Sequence, residues 1–271
     1  MDIKKILVPT DFSNAANNAL LYATIIAEQY GAQIDILHAF TIPVLTARGN
    51  PVLTDPDVAQ ANRQVAEGML KKTKKIVSRR SPVKFNLTAI PIYWQIELAE
   101  VIHNQQADLI VMGTTGASGL KKIFMGSNAA RVIQNLPGPV LAVPEQAKLS
   151  EHTKIGLAYD GLQIKEFGKL SIVNSLKNTL NASIYVFQII ENKQSSSPYL
   201  SELINFLSGA RVDYIYESEI ESAILKCIEL NHLDMLVMIP RLRGFFYNLV
   251  TGSMTKKIAY KIPIPLLAIP E

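Results

Sequence analysis

The sequence predicts an α/β protein built from two tandem, doubly wound parallel-sheet domains. Three observations lead there. Short, continuously apolar runs alternate with segments of helical period, the pattern of strands covered on both faces by crossover helices. The second half of the chain repeats the first in outline. A glycine-rich stretch lies between an apolar run and a helical segment, where doubly wound sheets carry their ligand loops.

In chain order, the apolar runs predict strands over 5–9, 32–39, 84–90, 108–112 and 140–143. The segments between them predict helices over 15–30, 57–79, 96–105 and 128–135. Asp11 and Gly113 both fall at the carboxyl ends of their strands, which in a doubly wound parallel sheet brings them to the same edge.

The repeat is read directly. Leu109-Ile-Val-Met-Gly-Thr aligns with Met235-Leu-Val-Met-Ile-Pro at an offset of 126, and Ala142-Val-Pro-Glu145 meets Ala268-Ile-Pro-Glu271 at the same offset. Ile6-Leu-Val-Pro-Thr-Asp11 meets Ile155-Gly-Leu-Ala-Tyr-Asp160 at 149. The second copy is therefore about two dozen residues shorter between its first and fourth strands, mostly opposite Thr41 to Asn62. A polar, turn-rich stretch from Glu145 to Lys154 reads as the linker. Domains over 1–145 and 152–271 follow, as a chain of 271 residues allows.

Composition narrows the class. With 48% hydrophobic and 18% charged residues the chain is a packed globular protein rather than a disordered one. The net charge of +4 is mild. The Lys71–Lys75 and Arg79-Arg80 cluster falls on an amphipathic helix without a stacking platform, which disfavours nucleic acid. No run is long enough to span a membrane and the start is no signal peptide, so the expected location is the cytoplasm. The single cysteine, Cys227, lies on the apolar side of a helical segment and reads as a small buried hydrophobe.

The most informative stretch is Val111-Met-Gly-Thr-Thr-Gly-Ala-Ser-Gly-Leu-Lys-Lys-Ile-Phe-Met-Gly-Ser127. Two residues separate Gly113 from Gly116, nine separate Gly116 from Gly126, and Ser127 and Asn128 open the next helix. Bare backbone before a helix N-terminus presents N–H groups where the helix dipole also favours an anion. The stretch reads as a phosphate cradle, against the plainer reading of glycines as turn punctuation. It matches neither the Walker A loop nor the Gly-x-Gly-x-x-Gly fingerprint.

Gly-x2-Gly-x9-Gly-Ser resembles the ATP-binding signature of the universal stress protein family. Lys5-Ile-Leu-Val-Pro-Thr-Asp-Phe-Ser13, Asp108-Leu-Ile-Val-Met-Gly113 and Pro139-Val-Leu-Ala-Val-Pro144 look like that family's first, fourth and last strands. The resemblance covers residues 1 to about 145 well and the remainder more loosely. It implies an adenine nucleotide, ATP or else AMP or ADP, with Mg2+ as an optional companion. Gly116, Gly126, Ser127 and Asn128 would hold phosphates. Pro9, Thr10 and Asp11 would lie near the adenosine, Asp11 at a ribose hydroxyl or a metal-bound water. Ala39 would meet adenine through backbone groups, and Met112 and Gly113 would form the floor. A helix-cap or turn role for Asp11, shared with Ser13, is the plainer alternative. Thr114 and Thr115 stand where the family often has larger or basic residues.

His38 sits in an apolar run and reads as a core or adenine-flanking residue; His103, His152 and His232 are isolated, so no zinc set is formed. In the second copy Ile239-Pro-Arg-Leu242 replaces Gly113-Thr-Thr-Gly116, which breaks the cradle although Asp160 and Gly252-Ser253 remain. Arg241 and Arg243 can attract an anion only weakly, and Phe245, Phe246 and Tyr247 read as packing residues.

The expected function is a regulatory, stress-response module that binds ATP in its first domain. The alternatives are a nucleotide-free scaffold or interaction protein and a weak ATP-hydrolysing enzyme; no catalytic base or nucleophile pair can be assigned. The family's dimerisation through its last strand implies that 140–143 and 265–269 pair within this chain as a pseudo-twofold unit, with a homodimer of chains as a further expectation.

Overall fold

A computed structural model describes residues 3–42, 45–47, 50–52, 56–92, 98–114, 127–135, 138–150, 152–190, 197–216, 220–240 and 262–270. The first half runs β1 (Lys5–Pro9), α1 (Asn14–Tyr30), β2 (Gln33–Thr41), β3 (Leu45–Ala47), β4 (Asn50–Val52), α2 (Pro56–Val77), β5 (Phe85–Ile92), α3 (Leu98–His103), β6 (Leu109–Gly113), α4 (Ser127–Asn135) and β7 (Val140–Val143). The second half runs β8 (Lys154–Tyr159), α5 (Phe167–Thr179), β9 (Ser183–Ile190), α6 (Leu200–Phe206), β10 (Arg211–Tyr216), α7 (Ile220–Asn231), β11 (Met235–Met238) and β12 (Leu266–Ala268). The expected linker is one residue shorter than read, because Lys154 already opens β8.

Ten strands form one sheet in the order β10-β9-β8-β11-β12-β7-β6-β1-β2-β5. Read outward from the centre, the two halves have the same order. All pairings are parallel except β12 with β7. At that seam Leu267 faces Leu141, Leu266 faces Ala142 and Ala268 faces Val140. Leu267 is the repeat partner of Leu141, so each side of the seam presents equivalent positions to the other in reversed order, with Leu266 in the place of Val140. This is the isologous geometry of a twofold dimer, held within one chain. Pairing the two last strands removes two free edges from the molecule.

Alternation along the strands separates two cores. Ile6, Val8, Ile34, Ile36, Leu109 and Val111 face one side with α1; Leu7, Leu37, Ile110 and Met112 face the other with α3 and α4. Cys227 is buried in the second core. Burial, reinforced by the charge of Asp213, pushes its thiol up to about 12. A thiol so raised carries little thiolate near neutral pH. Native protein is therefore expected to resist maleimide at about pH 8 and to react fully once unfolded; rapid labelling of the native chain would contradict this packing.

Both copies close their amino edges in the same way. Asp108 Oδ2 accepts from the amides of Lys4 and Lys5, each at 2.9 Å, and Asp234 Oδ2 accepts from the amide of Lys154 at 2.8 Å. Lys5 Nζ donates to the Gln105 carbonyl and Lys154 Nζ to that of Asn231. The copies diverge where α2 spans 22 residues and α6 only seven, which accounts for about two thirds of the missing length; the segment that carries β3 and β4 lies in the remainder.

Candidate functional site

The first half-sheet has the order β5-β2-β1-β6-β7, so the chain winds outward from β1 through β2 to β5 and then returns to β6 on the other side of β1. A crevice forms at such a switch point, outside the carboxyl ends of the strands. Register fixes what lines it. Pro9 lies level with Leu37, and the Thr10 amide donates to the Leu37 carbonyl at 2.8 Å. Leu7 pairs with Ile110, so continuing that register sets Pro9 beside Met112. Ala39 lies two residues beyond Leu37 in β2. Ala39 and Met112 belong to the same face, packed on the α3–α4 side.

Helix α4 lies on that face, with Ala129, Val132 and Ile133 buried in the same core. A crossover helix between parallel strands runs back along the sheet, so its N-terminus lies at the carboxyl edge. Ser127 is its first residue and Asn128 its second. The first-turn amides of a helix have no intrahelical partners and carry the positive end of the dipole. Gly116 and Gly126 lie outside the described residues, as do Thr115, Arg241, Leu242, Arg243 and Phe245 to Tyr247.

The turn after β1 is tightly determined. The Phe12 amide donates to Thr10 Oγ1 at 3.0 Å, and Asp11 Oδ1 accepts from the Ser13 amide at 3.0 Å. Ser13 then caps α1 by accepting from the Ala16 amide at 3.2 Å. The turn role foreseen for Asp11 is therefore realised, while the cap itself is Ser13. Asp11 remains exposed. Phe12 has a φ of 64°, a left-handed conformation that is strained for a bulky residue. His38 is half-buried; its Nδ1 lies 2.7 Å from the Thr10 carbonyl and its ring packs against Phe12 at 4.5 Å.

Gly113 has a reason for being glycine that the spacing did not disclose. A Cβ there would lie 2.8 Å from both the Ala15 carbonyl carbon and the Ala16 nitrogen. The first turn of α1 thus rests directly on the end of β6. The bonds of two further residues, Asn14 and Asn18, were invisible in the sequence. Asn18 Nδ2 donates to the Pro144 and Ala147 carbonyls at 2.8 and 3.0 Å, and Asn14 Nδ2 to Glu145 Oε1 at 3.0 Å. The helix that borders the crevice therefore also holds the chain leaving β7.

The second half arranges its carboxyl edge differently. Ile239, buried, stands in the place of Gly113. A side chain there excludes the helix turn that Gly113 admits. Accordingly α5 starts at Phe167, four residues later than the repeat of Asn14, and buried Ile164 lies in the segment before it. Tyr159, in the place of Thr10, is fully buried and donates its hydroxyl to the Leu162 carbonyl at 2.7 Å. Ser197 Oγ donates to the Gly161 carbonyl at 2.6 Å, and the Ser197 amide to Gln188 Oε1 at 3.2 Å. Gly161, where Phe12 stands in the first copy, has a φ of 79° and adopts it without strain.

Among the described residues no three His, Cys, Asp or Glu side chains converge as a metal site. No helix among them is long and apolar enough to cross a membrane.

Comparison with known proteins agrees with this architecture. The model of the universal stress protein family matches residues 2–144. Universal stress protein Slr1230 of Synechocystis is 24% identical over 290 residues, covering 98% of this chain and 99% of its own. Universal stress protein MJ0531 of Methanocaldococcus jannaschii is 34% identical over 148 residues, covering 54% of this chain and 84% of its own. The crystal structure of a universal stress protein from Archaeoglobus fulgidus superposes with a TM-score of 0.71 at 19% identity, covering 98% of this chain and 96% of that one. With a family match over more than half its length, on the strand order and switch-point crevice just described, this chain belongs to the universal stress protein family.

Proposed function

We propose that this protein is an adenine-nucleotide-binding regulatory module, with domains over 1–145 and 152–271, that holds one ATP, ADP or AMP in the first domain and none in the second. One observation supports the reading: Pro9, Thr10, Asp11, Ala39, Met112 and the N-terminus of α4 lie at the carboxyl edge of the first half-sheet. The residues fit the ligand. Ala39 and Met112 supply an apolar floor for a base, Asp11 an exposed carboxylate for a ribose hydroxyl, and the first turn of α4 supplies donors for phosphate. Gly116 and Gly126 complete the cradle by sequence. Mg2+ would enter with the phosphates, Asp11 being the carboxylate at hand.

The second domain fits a scaffold. Its equivalent edge is occupied by Ile239 and by the bonded set of Tyr159, Gln188 and Ser197, and its sequence lacks the glycine at Leu242. No residue placed at the first crevice is a poised general base, so the reading is binding rather than turnover. Isothermal titration of the full chain with ATP, ADP and AMP tests it. Saturable binding of at least one of them is expected; no heat and no retained nucleotide would refute the reading.

A further inference from the structure

Helix α2 carries a second apolar stripe that the fold leaves uncovered. Its buried line is Ala66, Leu70 and Val77, against β2 and β5. About a quarter turn away lie Val58, Val65, Met69 and Ile76, which at 3.6 residues per turn stay within about 20° of one line. They are 42%, 63%, 42% and 56% exposed, although a helix packed on one face ordinarily turns polar residues outward. Their steps of seven, four and seven residues are those of a helix–helix seam, with Asn62 and Lys72 occupying the remaining seam positions.

We infer that this stripe is the interface to a second copy of the chain, with α2 packed antiparallel against α2 of the partner. Self-complementarity identifies the occupant. Reversing the stripe about residue 67 sets Val58 against Ile76 and Val65 against Met69, apolar on apolar. The same reversal sets Asn62 against Lys72, an acceptor against an ammonium. It also brings the Asp57 end of each helix to the Lys75 end of the other, on the same flank. A parallel arrangement would instead set Lys72 against Lys72 in the seam, which is repulsive. Antiparallel helices also align their dipoles favourably.

Gly68 supplies an independent observation. It lies inside α2, where glycine costs about 1 kcal/mol relative to alanine, yet its missing Cβ faces open space within the chain. With Ala61 seven residues earlier it forms a small-residue flank beside the stripe, which lets a second helix approach closely. The interface is separate from the β7–β12 seam and from the crevice, so it stands whether or not nucleotide binds.

Light scattering on the full chain at micromolar concentration is expected to give twice the chain mass. Val65→Asp with Met69→Asp is expected to halve that mass with an unchanged circular dichroism spectrum, since both positions are exposed in the monomer. Cross-linking then fixes the orientation, because the native Cys227 is buried. A mixture of Val58→Cys and Ile76→Cys chains should form the mixed disulfide. Val58→Cys alone should not, its two thiols lying about 27 Å apart across an antiparallel pair. A monomeric wild type, a dimer that survives the double substitution, or efficient Val58→Cys self-cross-linking would each overturn the proposal.

Discussion

Gly113→Ala is expected to destabilise the chain by about 1–3 kcal/mol, the usual cost of forcing atoms into a packed interior. The added carbon would sit 2.8 Å from the backbone of Ala15 and Ala16. Backbone cannot rotate out of the way as a side chain can, so α1 must move. Gly113→Val is expected to cost more. Gly168→Ala is the matched control: it lies in α5, with nothing within 4 Å of its Cβ position. Removing glycine's conformational freedom there should stabilise by about 0.5–1 kcal/mol. Chemical denaturation of the two variants should therefore give shifts of opposite sign. Equal shifts would contradict the packing of α1 on β6.

Gly126→Val and Gly116→Val are expected to abolish ATP binding without unfolding the protein. A β-branched side chain would fill the space a phosphate needs and resist a positive φ. Leu242→Val, at the repeat position of Gly116, shortens the side chain by one methylene and should leave binding unchanged, because the second copy's sequence already lacks that glycine. Titration calorimetry with circular dichroism as the folding control separates the two effects. Unchanged affinity in a folded Gly126→Val protein would remove the phosphate role assigned to that segment.

Much of this fold was legible because the relevant forces act locally. The bounds of β1 and β7 agree with the apolar runs that predict them, since each is a buried strand of the sheet interior bordered by proline or polar residues. The central seam followed from the family resemblance together with the repeat, because a tandem chain carries both halves of a dimer that pairs through its last strands. The hairpin of β3 and β4 was not foreseen. Each strand has only three residues and β4 contains Pro51, so neither offers a period to read.

The site was legible to a different depth at each residue. Asp11 and Met112 could be placed from strand ends alone. Gly113 is expected in the pocket floor, and its geometry adds a requirement set by α1, a contact between segments about a hundred residues apart. The bonds from Asn14 and Asn18 to the 144–147 segment were missed for the same reason. Surface asparagines carry no periodic signal, and only the folded chain brings them to those carbonyls. The late start of α5 could have been found: Ile239 at the repeat position of Gly113 already forbids the helix turn that Gly113 permits.

The central claim is that one half of a pseudo-symmetric molecule binds nucleotide and the other does not. Native mass spectrometry of the full chain with saturating ATP counts the sites directly. One ATP adduct per chain, absent from the Gly126→Val variant, is the predicted result. Two adducts per chain, or none for ATP, ADP and AMP alike, would contradict it.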